Sequence, residues 1–200
     1  MENEYCMPVE YKTNPVRYFD DTPFKDEYQD DIYKMARDIY DPKWGNGTVL
    51  DLGCGSGFKL IKHFDGIHTI GCDLPPTISK VRSMYAEKTN KQWEVISSTI
   101  YDGVSLVISS DVLEHLEDPI SYLAYINRHD FSDLILSTPN RKFYMDIKKT
   151  RDTMGPPWNP HHIREWLPDE LVKFLSTVFD VTEVIQEYPT IVCRCRRKAS

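Results

Sequence analysis

Val49-Leu50-Asp51-Leu52-Gly53-Cys54-Gly55-Ser56-Gly57 is the stretch around which the chain is organised. Residues 48–52 form an apolar run that predicts a short buried strand, and glycine then occupies alternate positions at 53, 55 and 57. Residues 58–64 carry apolar side chains at helical spacing. A strand, a glycine turn and a helix in this order let the backbone lie directly against a nucleotide-like ligand. Glycine suits the turn because it has no Cβ to hold a ligand away and because such turns often need positive φ.

The spacing of the glycines narrows the class of ligand. A dinucleotide site has G-x-G-x-x-G, with a helix N-terminus directed at a pyrophosphate. Here the order is G-x-G-x-G, and Asp51 stands two residues before the first glycine. A carboxylate at that place would repel a pyrophosphate but would suit a cationic amino-acid group. The pattern therefore favours a ligand with a positively charged end.

A second acid follows at the end of the next predicted strand. Asp73 closes the short run 68–72 and lies 22 positions beyond Asp51. An acid at the carboxyl end of the neighbouring strand accepts hydrogen bonds from two vicinal ribose hydroxyls, and Leu74 would then lie against adenine. Alternatively, Asp73 only caps the helix that begins at the following prolines. Its pairing with the glycine turn favours ribose binding.

The glycine stretch closely resembles the first motif of class I S-adenosylmethionine (SAM) dependent methyltransferases, and the resemblance covers about residues 46–197. It implies an α/β, Rossmann-like, doubly wound and mostly parallel seven-stranded sheet with a C-terminal antiparallel strand. It implies SAM as the cofactor and S-adenosyl-L-homocysteine as its product. In that family the acid helps to hold the methionyl ammonium, and the glycines let the cofactor pass. The cofactor-binding residues so implied are Asp51, Gly53, Cys54, Gly55, Gly57, Asp73, Leu74, Ser110 and Asp111.

The adenine end of such a site is less clear in this sequence. A third strand is predicted over 93–100 and a fourth over 105–110, with about four residues between them. The family usually has a longer passage here, often with an acid near the adenine amino group. Ser98, Thr99 or backbone groups are the remaining candidates for that contact.

Residues 109–119, Ser-Ser-Asp-Val-Leu-Glu-His-Leu-Glu-Asp-Pro, follow the fourth predicted strand. The run resembles the corresponding motif of small-molecule methyltransferases such as the ubiquinone-biosynthesis O-methyltransferases, which places it beside the methyl group. Asp111 and Glu114 either contribute to that site or only cap and face solvent. His115 is the one group in the run that titrates near neutral pH. It is either a base or a residue that orients the loop by hydrogen bonding, and we favour the second interpretation.

Residues 141–166 are the second informative region, and we interpret them as a substrate-recognition insertion. Prolines and a glycine exclude regular structure over 155–160. Two tryptophans, two histidines and an arginine gather there without an obvious packing role, and functional residues concentrate on such loops. The pattern G-P-P-x-N-P-x-H-x-R-E-W resembles one found in methyltransferases of sugar and glycan modification clusters. The predicted substrate-binding residues are Tyr18, Arg141, Tyr144, Trp158 and Arg164, of which the two arginines could instead pair with Glu165 or Asp169.

The predicted catalytic residues are histidines. Methyl transfer is an in-line displacement, and an alcohol acceptor must lose its proton, for which a histidine is the usual base. His162 is the first choice because its loop should cover the acceptor, and His161 and His115 come next. Each could instead only bond loop backbone. Metal catalysis is not expected, because side chains of the adjacent His161 and His162 diverge and no nearby carboxylates have ligand spacing.

The bulk properties limit the class of protein. The 200 residues fit one domain, in which residues 1–40 form an arm and a helix that could act as a lid. A net charge of −7 argues against a nucleic-acid partner, despite a basic tail at 194–198. No apolar run is long enough for a membrane span. The five cysteines lack metal-type spacing and indicate reduced thiols in the cytoplasm.

These observations predict a SAM-dependent methyltransferase that acts on a small molecule, in particular on a hydroxyl of a sugar or a sugar-linked metabolite. A methyltransferase of nucleic acid, for instance of a tRNA base, is one alternative, and a non-catalytic partner subunit with the same fold is another. A degraded glycine turn or missing acids would mark the subunit, and neither is seen. The sequence does not indicate an oligomeric state.

Overall fold

The computed structural model describes residues 28–148, 157, 159 and 161–199, without the side chains of 144, 145, 147 and 148. Residues 1–27 of the predicted lid, with Tyr18, lie outside the described residues, as do Trp158 and the Tyr144 side chain. The strands are β1 (Val49–Leu52), β2 (Thr69–Asp73), β3 (Lys91–Val95), β4 (Val104–Ser110), β5 (Phe131–Pro139), β6 (Phe179–Gln186) and β7 (Thr190–Arg197). The α-helices are α1 (Asp30–Ile39), α2 (Phe58–His63), α3 (Pro75–Met84), α4 (Pro119–Asn127), α5 (Arg141–Lys148) and α6 (Pro168–Leu175).

The strands form one sheet of seven in the order β3-β2-β1-β4-β5-β7-β6. Strands β3, β2, β1, β4 and β5 are parallel to one another, and β7 runs antiparallel between β5 and β6. The fold class predicted from the sequence is therefore confirmed. The chain order reverses direction between β1 and β4, and ligands of such sheets bind at the carboxyl ends of the strands at this point.

Both faces of the sheet are covered, which explains why β1 and β4 are buried throughout. Leu50 and Leu52 contribute to the core on one face, with α4 and α6. Val49 contributes to the core on the other face, where α1, α2 and α3 pack. Since successive side chains of a strand alternate between faces, Asp51 points to the same side as Val49, toward α1. Among the described residues, no helix is long and apolar enough to cross a membrane.

Two local predictions from the sequence are wrong. Strand β3 ends at Val95 rather than at residue 100, so the passage to β4 spans residues 96–103 and is longer than predicted. Its Tyr101 stacks on His129, with the ring centroids 5.7 Å apart. Residues 141–148, at the start of the predicted substrate-recognition region, form helix α5. Trp166, to which we gave no packing role, is 1% exposed and belongs to the core.

Candidate active site

The glycine turn after β1 has the predicted backbone. Gly53, Gly55 and Gly57 have φ values of +91°, +51° and +69°, which confirms the need for glycine there. The amides of residues 53 and 54 both donate to the Cys72 carbonyl, at 2.8 and 3.1 Å, and tie the turn to β2. A Cβ on Gly53 would lie 2.4 Å from a Val112 methyl carbon, and one on Gly57 would lie 2.6 Å from the Trp93 ring. At these two positions an added Cβ would therefore clash with the side chains of Val112 and Trp93.

Asp51 is completely buried at the carboxyl end of β1. The hydroxyl of Tyr33, on α1, donates to its Oδ2 at 2.8 Å. Tyr33 is itself 2% exposed, so both partners of this bond are fixed by packing. Helix α1 thus orients the acid of the cofactor motif, a contribution that the sequence analysis missed.

Asp73 ends β2 beside the glycine turn, as predicted. Its Oδ2 accepts from the Gly55 amide at 2.8 Å, and its Oδ1 accepts from the Leu74 amide at 2.6 Å. The Thr77 side chain also bonds to this carboxyl group. Burial raises its pKa, and these hydrogen bonds oppose that effect. Of about four lone-pair sites on a carboxylate, roughly one remains for a ribose hydroxyl, and the adjacent Leu74 is 40% exposed.

Asp111 lies where β4 ends, in the left-handed region with φ +53°. The Ser137 hydroxyl donates to its Oδ1 at 2.7 Å, and the Gln29 amide donates to its Oδ2 at 2.9 Å. Gln29, just before α1, is the other non-glycine residue with positive φ among those described, at +66°. The buried Ser110 bonds to Ser137 at 3.0 Å. Both predicted residues therefore belong to one polar network at the switch point, and Gln29 was not foreseen.

Cys54 is 7% exposed, in the core beneath the glycine turn. A Cβ on Gly71 of β2 would lie 3.0 Å from its sulfur atom. The side chain therefore packs inward, so any contact of Cys54 with a cofactor would come from its backbone. Four of the five cysteines are described, and all four are buried free thiols, as predicted.

Two of the predicted catalytic histidines lie together at this edge of the sheet. The rings of His115 and His162 meet edge to face with centroids 5.0 Å apart. The Nδ1 of His162 donates to Glu165 Oε1 at 2.8 Å, and the Nδ1 of His115 donates to the His161 carbonyl at 2.9 Å. His161 thus contributes a backbone group to the arrangement. The hydrogen-bonding role that we favoured for His115 is present in the structure.

The tautomers of these two rings follow from their bonds. The Asn159 amide donates to Nε2 of His162 at 3.0 Å, so that nitrogen carries a lone pair. Burial lowers the pKa of His115 to about 4, which the bond to the His161 carbonyl partly opposes. The ring is therefore neutral at pH 7, and because Nδ1 carries its proton, Nε2 carries a lone pair too.

Glu114 is the buried acid of this cluster. It is 0% exposed, which excludes the solvent-facing role that the sequence left open. The Thr138 hydroxyl donates to its Oε2 at 3.2 Å, and its backbone carbonyl accepts from the Ile163 amide at 2.7 Å. Its Oε1 has no hydrogen-bond partner among the described residues and lies 3.9 Å from Nε2 of His115. Burial, followed by the nearby charge of Asp111, raises the pKa of Glu114 well above its usual value.

The two predicted substrate-binding arginines are engaged within the protein. Arg141 forms a salt bridge with Glu170 of α6. Arg164 is 2% exposed, donates to the Glu117 carbonyl at 3.1 Å and lies over the Trp166 ring. These bonds join the arginines to Glu170 and to the Glu117 carbonyl, whereas the sequence suggested Glu165 or Asp169 as partners. Arg141 therefore joins α5 to α6, and Arg164 joins its loop to the segment between β4 and α4.

A cluster of possible metal ligands lies at the same edge of the sheet, which the spacing of residues along the chain did not indicate. Ligand atoms of Glu114, His115 and His162 all lie within 4.8 Å of one another. The adjacent His161 and His162, with the acids close to them in the chain, do not reveal this cluster. The fold instead supplies a carboxylate and a second imidazole from the segment after β4.

Comparison with known proteins agrees with this geometry. A family model described as a methyltransferase domain matches residues 25–177. The ubiquinone biosynthesis O-methyltransferase of Dinoroseobacter shibae is 27% identical over 160 residues, which is 72% of this chain. The chain spans only 64% of the length of that relative.

Solved structures show the same fold. The PH0226 protein of Pyrococcus horikoshii OT3 superposes with a TM-score of 0.68 and 18% identity, over 91% of this chain and 97% of that one. A structure of PigF with SAH superposes with a TM-score of 0.59 and 14% identity, over 84% of this chain and 61% of that one. With the glycine turn, the two strand-end acids and the family match together, the chain belongs to the class I methyltransferases, and its cofactor is SAM.

Proposed function

We propose that the protein transfers the methyl group of SAM to a hydroxyl of a small molecule, most specifically of a sugar or a sugar-linked metabolite. The observation that carries the proposal is the pair of imidazoles, His115 and His162, whose rings meet edge to face and each donate an Nδ1 hydrogen bond, beside the methionine end of the predicted cofactor site. His115 lies only four residues after Asp111, in the segment that follows β4 at the switch point.

The cofactor, when bound, supplies a methyl group on a positively charged sulfur. The protein has to hold the acceptor oxygen in line with that carbon and to receive its proton. His162 is arranged for the second task, because Glu165 fixes its Nδ1–H and leaves a lone pair on Nε2. Glu165 is 4% exposed, so its carboxylate orients the ring without competition from water.

Several observations support a small acceptor over nucleic acid. The chain carries a net charge of −7, whereas phosphate backbones are bound by basic surfaces. Two of the arginines after β5 are occupied by Glu170 and by the Glu117 carbonyl. The curated relative is, by its name, an O-methyltransferase. The arm as a lid, the single domain over residues 1–200 and the cytoplasmic location stay predictions.

Isothermal titration with SAM tests the cofactor site. Wild-type protein should bind SAM, and Asp73→Ala should bind it at least about tenfold more weakly, since a buried bond to a carboxylate is worth about 1.5–3 kcal/mol. His68→Ala, at the opposite end of β2, is the matched control. Undiminished affinity in Asp73→Ala would remove ribose binding from the assignment.

Turnover tests the acceptor class. Release of S-adenosylhomocysteine is measured with a panel of monosaccharides, nucleotide sugars and phenols, and with total tRNA as the comparison. We expect turnover with a hydroxyl compound and none with tRNA, and we expect His162→Ala to retain SAM affinity while losing turnover. Turnover with tRNA alone would replace the small-molecule proposal, and SAM binding without turnover on any acceptor would favour a partner subunit.

A further inference from the structure

Three side chains outside the cofactor motif converge on one point. Each of Glu114, His115 and His162 offers a ligand atom, and the three atoms lie within 4.8 Å of one another. Two of the residues are buried, while 39% of the His115 side chain is exposed and leaves a route from solvent. They come from two segments, one after β4 and one before α6, that the Ile163 amide and the Glu114 carbonyl join at 2.7 Å.

The outer hydrogen bonds of both imidazoles are those of metal-binding histidines. Such histidines usually donate their second ring N–H to a carboxylate or a backbone carbonyl, which fixes the tautomer and the ring orientation. Here His162 donates Nδ1–H to Glu165, and His115 donates Nδ1–H to the His161 carbonyl. Both rings therefore keep the Nε2 lone pair for a ligand, although His162 must give up the bond from Asn159.

The third ligand is a buried carboxyl oxygen without a hydrogen-bond partner among the described residues. This oxygen is Oε1 of Glu114, and the other carboxyl oxygen, Oε2, accepts a hydrogen bond from the Thr138 hydroxyl. An unsatisfied buried polar atom costs free energy that a bound cation would recover. The carboxyls of Asp111 and Glu165 act electrostatically on Glu114, so a cation there would also relieve their mutual repulsion.

We propose that Glu114, His115 and His162 bind one divalent transition-metal ion with a coordination position left open. Two imidazoles and one carboxylate suit Zn²⁺ or Co²⁺ rather than Mg²⁺ or Ca²⁺, which prefer sites made of oxygen atoms. In a tetrahedral site with bonds of about 2.1 Å, the ligand atoms lie about 3.4 Å apart. The separations here are at most 4.8 Å, so side-chain rotations within the cluster could bring them to that distance.

The open position gives the ion a role in the proposed reaction, and this step rests on the proposed function. An acceptor hydroxyl bound there would lose its proton to water more readily, because a divalent cation lowers the pKa of a bound oxygen acid. The resulting alkoxide would then attack the methyl carbon, and the electron pair of the broken C–S bond would stay on sulfur. His162 would act as a metal ligand instead of taking the proton itself.

Titration with Co²⁺ tests the site without any acceptor. The metal-free protein, prepared by dialysis against a chelator, should take up one equivalent of Co²⁺ and develop the visible absorption of a four-coordinate complex. His115→Ala, His162→Ala and Glu114→Gln should each weaken binding by at least about tenfold, and Glu165→Gln should weaken it by about 10–100-fold. His68→Ala is the matched control and should titrate like the wild type. SAM affinity, measured in parallel, confirms that each variant is folded.

The possible outcomes separate this proposal from the proposed function. Absence of the Co²⁺ spectrum in wild-type protein, or equal titrations in wild type and in all three ligand variants, would overturn the metal site. Full turnover in the presence of chelator would also overturn the metal site, and His162 would then remain the candidate base. A Co²⁺ site in a protein that methylates none of the hydroxyl compounds would support the metal and refute the proposed function.

Discussion

Gly53→Ala perturbs the cofactor turn in a way whose magnitude follows from the structure. Gly53 has φ +91°, and an added Cβ would lie 2.4 Å from Cγ2 of Val112, a distance at which one of the two must move. The positive φ costs about 1–2 kcal/mol for a residue with a side chain. Part of this is offset, because alanine lowers the entropy of the unfolded chain by about 0.4–1 kcal/mol. Overpacking adds about 1–3 kcal/mol, so we expect the free energy of unfolding to fall by about 2–4 kcal/mol.

Two further variants separate the steric part of this loss from the backbone part. Gly66 has φ +78°, and nothing lies within 4 Å of the place of its Cβ, so Gly66→Ala should cost only about 1 kcal/mol. In a Val112→Ala background the atom nearest to the added Cβ is gone, and the Val112 Cβ lies at an ordinary 3.7 Å. There Gly53→Ala should also cost about 1 kcal/mol, which leaves a coupling of about 1–3 kcal/mol.

Urea denaturation of the four proteins of this cycle, with Gly66→Ala beside them, measures each loss. The affinity for SAM, measured by titration calorimetry, should follow the same order, since the turn lies on the predicted cofactor path. An equal loss for Gly53→Ala with and without the Val112 methyl groups would refute the steric part of the reasoning. A loss in Gly53→Ala no larger than in Gly66→Ala would refute it as well.

Three other contacts give predictions of their own. Tyr33→Phe removes a buried bond to the Asp51 carboxylate, so the free energy of unfolding should fall by about 1.5–3 kcal/mol and SAM affinity should fall with it; unchanged affinity would mean that the bond does not orient the acid. Hydrogen bonds lower the pKa of Asp30 below its ordinary value of 3.8, and the bond from Lys62 has a larger effect than the bond from His63. Its stabilisation is therefore present above about pH 4 and lost as the pH falls through the folded pKa, and Asp30→Asn should cost about 0.5–1 kcal/mol at pH 7 but nothing in stronger acid. Lys91→Met leaves two backbone carbonyls after α2 without their buried ammonium donor and should cost about 1–3 kcal/mol in urea denaturation.

The cofactor half of the site could be predicted because it is encoded locally. A strand, its turn and the following helix occupy the contiguous residues 49–63, and the positive φ values confirm why glycine recurs there. Asp73 was placed correctly because consecutive parallel strands end at the same edge of the sheet. The passage after β3 was placed wrongly because residues 96–100 are also compatible with a strand by composition. In the structure the passage is held by contacts with distant residues, among them the stacking of Tyr101 on His129.

The supporting contacts could not be predicted, because they join distant parts of the chain. The bond from Tyr33 to Asp51 spans 18 positions, and the bond from Gln29 to Asp111 spans 82. Neither donor belongs to a motif, and the apolar periodicity of α1 does not single out Tyr33, whose burial only the structure shows. The positive φ of Gln29 and Asp111 is likewise set by tertiary bonds, since neither position carries the glycine that would announce such a backbone.

The spacing of residues along the chain did not indicate that Glu114, His115 and His162 lie together. Ligand spacing along the chain is informative when one turn or one helix carries the ligands, as in zinc fingers. In a parallel sheet the loops at the carboxyl edge converge, so ligands separated by many residues can meet there. Glu114 and His115 follow β4, and His162 follows β5. Both strands end at that edge, and this order of elements was already predicted from the sequence. The bond of the Ile163 amide to the Glu114 carbonyl then fixes His162 beside that pair through the backbone. For this reason, substituting any one of the three side chains should change the ligand set while leaving the two segments joined.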